Sequence, residues 1–175
     1  MNKKKIVPIL SAFLMLLCIS CDLKSKKEVF IKPSEIGVYY DKSEAKISVL
    51  NSGKQQIPNN VILYLYSLEA ENIKDVISLV TKDGESIVCN VSYWFSLKTK
   101  NIARLHLEVG EDFKERIVFP KIRSALRTSF NNYNLVDVKP SELEKVITSE
   151  LRNDTKFSEY IKTKSFKLKI ESEKE

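Results

Sequence analysis

The chain has 175 residues, 29 Lys and Arg against 23 Asp and Glu, and a formal charge of +6. Hydrophobic residues at 43%, charged ones at 30% and only 4 Gly and 5 Pro lie in the globular range and exclude a long repetitive or low-complexity segment. Lys3, Lys4 and Lys5 belong to a leader, which leaves 26 of the 29 basic side chains against the 23 acidic ones, interleaved and without the one-signed aromatic-laced groove of a nucleic-acid binder, so no nucleic-acid partner is expected.

Residues 1–20 read as a secretory signal peptide. Lys3 to Lys5 form its positive start, and Ile6 to Leu17 is an apolar run broken only by Pro8 and Ser11. That run is short for a membrane span, which needs about 20 apolar residues. Its end, Cys18-Ile19-Ser20-Cys21, resembles the bacterial lipoprotein signal, in which a small residue precedes a cysteine that takes diacylglycerol on its sulfur and becomes the new N-terminus. Ser20 and Cys21 fit; Cys18 stands where leucine is usual, and large Leu17 makes Cys18 itself a poor lipid site. The resemblance implies a lipoprotein held to a cell-envelope membrane through acyl chains on Cys21 and facing the periplasm or exterior. An uncleaved apolar anchor and plain secretion are the competing readings. Residues 21–28 then form a lipidated tether, whose Lys24, Lys26 and Lys27 either touch phosphate headgroups or stay solvated. The remaining chain is long enough for one core, at 29–172, with a short tail at 173–175.

Along that domain, Glu28 to Lys32, Glu35 to Asp41 and Lys46 to Leu50 read as short strands, rich in β-formers at Ile36 to Tyr40. Asn51-Ser52-Gly53 and Pro58-Asn59-Asn60 are turn clusters, and Val61 to Leu68 reads as a strand apolar on both faces. Asp83-Gly84 predicts a two-residue type I′ hairpin between 73–82 and 85–96. Such a turn pairs Lys82 with Glu85, Val80 with Ile87, Ser78 with Cys89 and Val76 with Val91 on one face. It puts Leu79 with Val88, Ile77 with Asn90 and Ile73 with Trp94 on the other, so both faces need cover. Ile102 to Val109 has helical spacing closed by Gly110. Phe113, Ile117, Ile122, Leu126 and Phe130 continue it, with two helical pieces meeting at Pro120. Pro140 starts a helix with Leu143, Val146, Ile147 and Leu151 on one stripe, ending near Asn153 or Tyr160, and Ser165 to Ile170 alternates as a final strand. The fold class expected is α+β: an antiparallel β-rich half with its hairpin at Asp83-Gly84, then helices, then a last strand.

This order resembles the stomatin/prohibitin/flotillin domain, also called the SPFH or band 7 domain, and is most similar to prohibitins. The resemblance is carried by Glu35-Ile36-Gly37-Val38, by Ser52-Gly53 with Ile57-Pro58, and by Val80-Thr81-Lys82-Asp83-Gly84 with Val91-Ser92-Tyr93. It continues in Gly110-Glu111-Asp112-Phe113 to Ile117-Val118-Phe119-Pro120, in Arg123-Ser124-Ala125-Leu126-Arg127, in Tyr133 and in the helix after Ser141. It covers about residues 29–172. Relatives of this kind organise membrane domains and restrain membrane proteases, so the resemblance implies a non-catalytic scaffold at the membrane that binds membrane or envelope proteins. An envelope ligand-binding, receptor-like module is the alternative. The loop from Asn51 to Asn60 lacks the family's proline before glycine. The family usually continues into a ring-building coiled coil; with Glu175 straight after the last strand, no coiled coil and a monomer or small, weak oligomer are expected.

No catalytic constellation stands at motif spacing, and no enzyme, cofactor or metal is expected. Ser124 lacks a Gly-x-Ser-x-Gly elbow, no Gly-rich phosphate loop exists, and His106 stands alone beside Glu108. Cys89, in line with Ile87 and Val91, reads as a small core residue rather than a reactive thiol. Two features are candidate partner contacts. Arg123 and Arg127, four apart on one helix face, would hold a partner's carboxylate or pair internally. Trp94, with Ile73, Ile77 and Leu79, would anchor an interface or lie in the packed interior.

Overall fold

The computed structural model describes residues 25–172; the leader, Cys21 and the tail from residue 173 lie outside the described residues. Strands β1 (Lys26–Ile31) and β4 (Gly53–Pro58) pair antiparallel as a ribbon, with Lys26 opposite Pro58 and Ile31 opposite Gly53. Strand β1 therefore begins inside the segment expected to be a tether. The sequence offered no strand at β4, because Lys54-Gln55-Gln56 carries no apolar alternation; pairing with β1 makes it one. Strands β2 (Glu35–Asp41), β3 (Lys46–Leu50) and β5 (Tyr64–Ser67) form a three-stranded antiparallel sheet in the order β3-β2-β5. The strand expected over 61–68 shrinks to those four residues, since the Val61 N–H turns back to the Pro58 carbonyl.

Ribbon and sheet meet at Gly37. Ile31 and Ile57 are fully buried, and a Cβ at Gly37 would stand 2.7 Å from Ile31 Cδ1 and 3.0 Å from Leu63 Cδ1. A side chain at position 37 would press on the end methyls of Ile31 and Leu63, so glycine lets the ribbon sit close on the sheet.

Strands β6 (Glu71–Val80), β7 (Ser86–Leu97) and β8 (Ile161–Ser172) make a second antiparallel sheet in that order. The hairpin turns where Asp83-Gly84 indicated, but its loop has three residues. The Gly84 N–H donates to the Thr81 carbonyl and the Thr81 N–H to the Glu85 carbonyl, with Gly84 at φ +86: a type I turn followed by a left-handed residue. The register is thus one residue away from the expected one. Leu79 pairs with Ile87, Ile77 with Cys89 and Ile73 with Tyr93, while Trp94 faces Asn72. Ile77 and Leu79 consequently share the buried face with Ile87, Cys89, Val91, Tyr93 and Phe95, and Trp94 lies on the opposite one.

Helix α1 (Ile102–Glu108) buries Ile102 and Leu105 and is closed by Gly110 at φ +94. Residues Lys114–Val118 form a π turn leading into α2 (Phe119–Phe130). Pro120 has no N–H for the Arg116 carbonyl, and the wider turn, in which the Phe119 N–H reaches the Lys114 carbonyl, carries the chain past it. Helix α2 buries Ile122, Ala125, Leu126 and Phe130, and α3 (Pro140–Asn153) buries Leu143, Ile147 and Leu151. Val146, expected on the same stripe, is 47% exposed because it falls beside that narrow face. Asp154 then accepts the Phe157 N–H at 2.8 Å and caps a separate helix, α4 (Thr155–Tyr160), so the helical region has a break at Asp154 and a second end at Tyr160. Both helix stripes and Phe157 close over the inner face of β6-β7-β8, where the Tyr93 and Phe95 rings stack 5.5 Å apart and the Tyr93 hydroxyl meets Thr163 Oγ1 at 2.8 Å. The β-rich first half, helices and last strand make the fold α+β, as the sequence indicates.

Replacing Gly37 by valine tests the seat of the ribbon. We expect Gly37→Val to lower stability by about 1–3 kcal/mol through overpacking, read as a lower urea midpoint by circular dichroism. An unchanged midpoint would mean that the ribbon is free to shift away.

Candidate interaction site

The residues singled out in the sequence do not converge. Arg123 lies on α2, and its guanidinium reaches across to β6, with Nε 2.8 Å and a terminal nitrogen 3.2 Å from the two Asp75 oxygens. Its charge also lies 5.6 Å from the Phe119 ring centroid. Internal pairing therefore holds Arg123, while Arg127, one turn on, is exposed and makes no ion pair among the described residues. Trp94 is 41% exposed on the outward face of β6-β7-β8, where Val76 at 66% and Val80 at 52% are also uncovered. That face was expected to need cover, and the described residues supply none. Cys89 is fully buried, and burial pushes its thiol up to about 11, which makes it an inert core residue.

A constellation that the sequence did not reveal lies beside β5. The ring of His106, from α1, lies 4.6 Å from that of Tyr64, and its Nδ1 is 2.7 Å from the Tyr66 hydroxyl. Burial, with a further contribution from Glu111, pushes Tyr66 up to about 12. Burial pulls His106 below its ordinary value, and Glu111 opposes it. The Tyr66 ring lies 6.3 Å from Phe113, at the head of the π turn. Between β5 and the segment Glu111–Glu115 runs a groove of about 900 Å³. Its carboxylates are Glu35, Glu71, Glu111, Asp112 and Glu115, and the one cation among its lining residues is Lys114, already bound to Glu71. These carboxylates come from β2, β6 and the turn after Gly110. In sequence they are scattered at the ends of elements, and pairing of β5 with β2 brings them together; the run Glu111-Asp112 was the only local signal.

Among the described residues no group of three or more His, Cys, Asp or Glu is arranged to hold a metal ion, and no helix is long and apolar enough to cross a membrane. The constellation beside β5 thus combines a hydrogen-bonded histidine and tyrosine with an open acidic groove.

The chain that folds in this way matches one known family. The SPFH domain / Band 7 family matches residues 29–164, most of the chain, and the protein belongs to that family. No curated protein matches it. Family members are membrane-associated, and they are in general non-catalytic scaffold or interaction modules.

The shielded histidine gives a pH test. Because the folded chain resists protonating His106, the unfolded chain binds the extra proton first, and stability falls as pH drops through the ordinary value of 6.5. We expect the denaturation midpoint to decline from about pH 7.5 to about pH 5.5, and a His106→Gln variant to lose that part of the slope. Parallel slopes for the two proteins would show that the ring titrates as freely folded as unfolded.

Proposed function

We propose that the protein is a lipoprotein tethered through Cys21 to a cell-envelope membrane, facing the periplasm or exterior, and that its SPFH domain is a non-catalytic scaffold for membrane or envelope proteins. Membership of the SPFH family over residues 29–164 carries this reading; the leader ending in Ser20-Cys21 supports the anchor. Two or more acyl chains on one residue hold a domain stably at the bilayer, at about 0.8 kcal/mol per buried CH₂, where one chain would dissociate. Confinement to the surface raises the effective concentration of domain and membrane protein, so contacts of modest strength suffice.

The proposed contact points are Trp94, in the uncovered sheet face with Val76 and Val80, and Arg127, the exposed cation of α2. Arg123 stands one turn away and, through Asp75, fixes that helix face against β6. Aromatic and arginine side chains are the residue types that most often anchor protein interfaces. The domain is expected to act as a monomer or small, weak oligomer.

Capture from cross-linked membranes with wild-type protein and Cys21→Ala tests the reading. We expect defined membrane-protein partners with the wild type, their loss in the variant, and a diacylated N-terminal peptide by mass spectrometry. An unmodified N-terminal peptide on protein absent from every membrane fraction would overturn it.

A further inference from the structure

The outer edge of β5 is open. In an antiparallel ladder hydrogen-bonded and non-hydrogen-bonded pairs alternate, and the Leu68 N–H donates to the Ser34 carbonyl at 2.8 Å on the same register that sets Tyr66 opposite Ile36. Tyr64 and Tyr66 therefore turn their backbone groups toward β2, and Leu65 and Ser67 turn theirs away from it. No described residue pairs with those outward groups. The edge of β8 is treated differently: α3 covers it, with Glu144 accepting the Leu168 N–H at 2.9 Å and Arg152 donating to the Lys164 carbonyl at 3.2 Å.

The open edge borders the acidic groove. Glu111, Asp112 and Glu115 have no ion-pair partner among the described residues, and Glu35 meets Lys32 only at 3.6 Å on an exposed flank. Residues opposite one another across a sheet share a face. A strand laid against β5 would point every second side chain, on the Tyr64 and Tyr66 side, toward Phe113 and the Glu111–Glu115 wall. The alternate side chains would lie over Leu65, which is 50% exposed.

We infer that this groove takes an extended segment of a partner protein, alternating basic and apolar residues, which adds to β5 as a further strand. The backbone of Leu65 and Ser67 supplies the hydrogen bonds, the carboxylates select lysine or arginine at alternate positions, and the four residues of β5 limit the pairing to a short stretch. This rests on the reading of the domain as a protein-interaction module and names the chemistry of what it holds. The opposite charge of ligand and groove also speeds encounter and makes binding salt-sensitive.

The test uses the full chain in non-ionic detergent and a fluorescein-labelled octapeptide of alternating lysine and valine, followed by anisotropy. The wild type binds this probe, more weakly as salt rises, and does not bind a glutamate–valine counterpart. Methylating alternate backbone nitrogens of the probe abolishes binding. The combined variant Glu111→Gln, Asp112→Asn, Glu115→Gln binds about tenfold more weakly, as the loss of three exposed charge pairs implies, and Leu65→Pro, which removes an outward N–H without touching the ladder to β2, binds least. Failure of the wild type to bind, or equal binding by the methylated probe and by the charge variant, overturns the proposal. So does self-association in sedimentation that Leu65→Pro abolishes, which would give the edge to a second copy of this chain. None of these results alters capture from cross-linked membranes or its dependence on Cys21, so the scaffold reading stands or falls separately.

Discussion

The turn at Lys82–Gly84 sets the register of the longest strands, and the remainder of the domain is arranged around the face that this register turns inward. Thr81 Oγ1 donates to Asp83 Oδ1 at 2.5 Å, and the Leu135 N–H donates to the same carboxylate at 3.2 Å. The hydrogen bond from Thr81, ahead of that from Leu135, holds the Asp83 carboxyl below its ordinary range. The Lys82 N–H donates to the Tyr133 carbonyl at 2.9 Å. The hairpin tip is thus tied both to its own strand and to the segment joining α2 to α3. A slip of one residue along β6 would bring Val76 and Ser78 inward in place of Ile77 and Leu79, against helices whose stripes are shaped for the larger pair.

How the fold treats its sheet edges depends on the same arrangement. Helix α3 lies over β8 because Leu143, Ile147 and Leu151 seek the inner face, and in doing so it places Glu144 and Arg152 where they meet the strand's free backbone groups. On the other sheet, α1 and Phe113 cover the Tyr66 face and the ribbon covers the Gly37 face, yet neither reaches past β5. An unpaired strand invites association, and a short strand among unpaired carboxylates restricts it to basic partners. The acidic wall therefore favours one class of strand and repels others, this chain's own Glu-bearing strands included.

Much of the fold was legible in the sequence. The glycine after α1, the prolines at 120 and 140 and the four-residue spacing of Ile122, Leu126 and Phe130 each state a local preference that the packing leaves intact. Where sequence and structure differ, contacts between distant residues decide. Asp-Gly is compatible with two-residue and three-residue turns, and the choice depends on Thr81 and on Leu135, which lies 52 residues away from Asp83; local chemistry does not encode it. Strand β4 was invisible for a similar reason, since its polar residues become a strand only through β1. The acidic groove was the least legible feature, because Glu35 and Glu71 are unremarkable strand-end residues until β5 is seated between them. Trp94 stands out in the sequence, but a two-residue turn gives it Ile73, Ile77 and Leu79 as companions, whereas the observed register places it on the face of Val76 and Val80.

Net charge conceals this arrangement. Beyond the leader basic side chains exceed acidic ones slightly, and from composition the domain has no electrostatic character. In the fold, the carboxylates around β5 lie together with Lys114 as their one lining cation, while on the outward face of the other sheet Lys167 and Lys169 are balanced by Glu144 and Glu171. At physiological ionic strength screening acts over about 8 Å, so partners sense these patches separately rather than as a sum. The acidic groove beside β5 and the outward face that carries Trp94, Val76 and Val80 are thus two different surfaces of one small domain, a difference that net charge does not register.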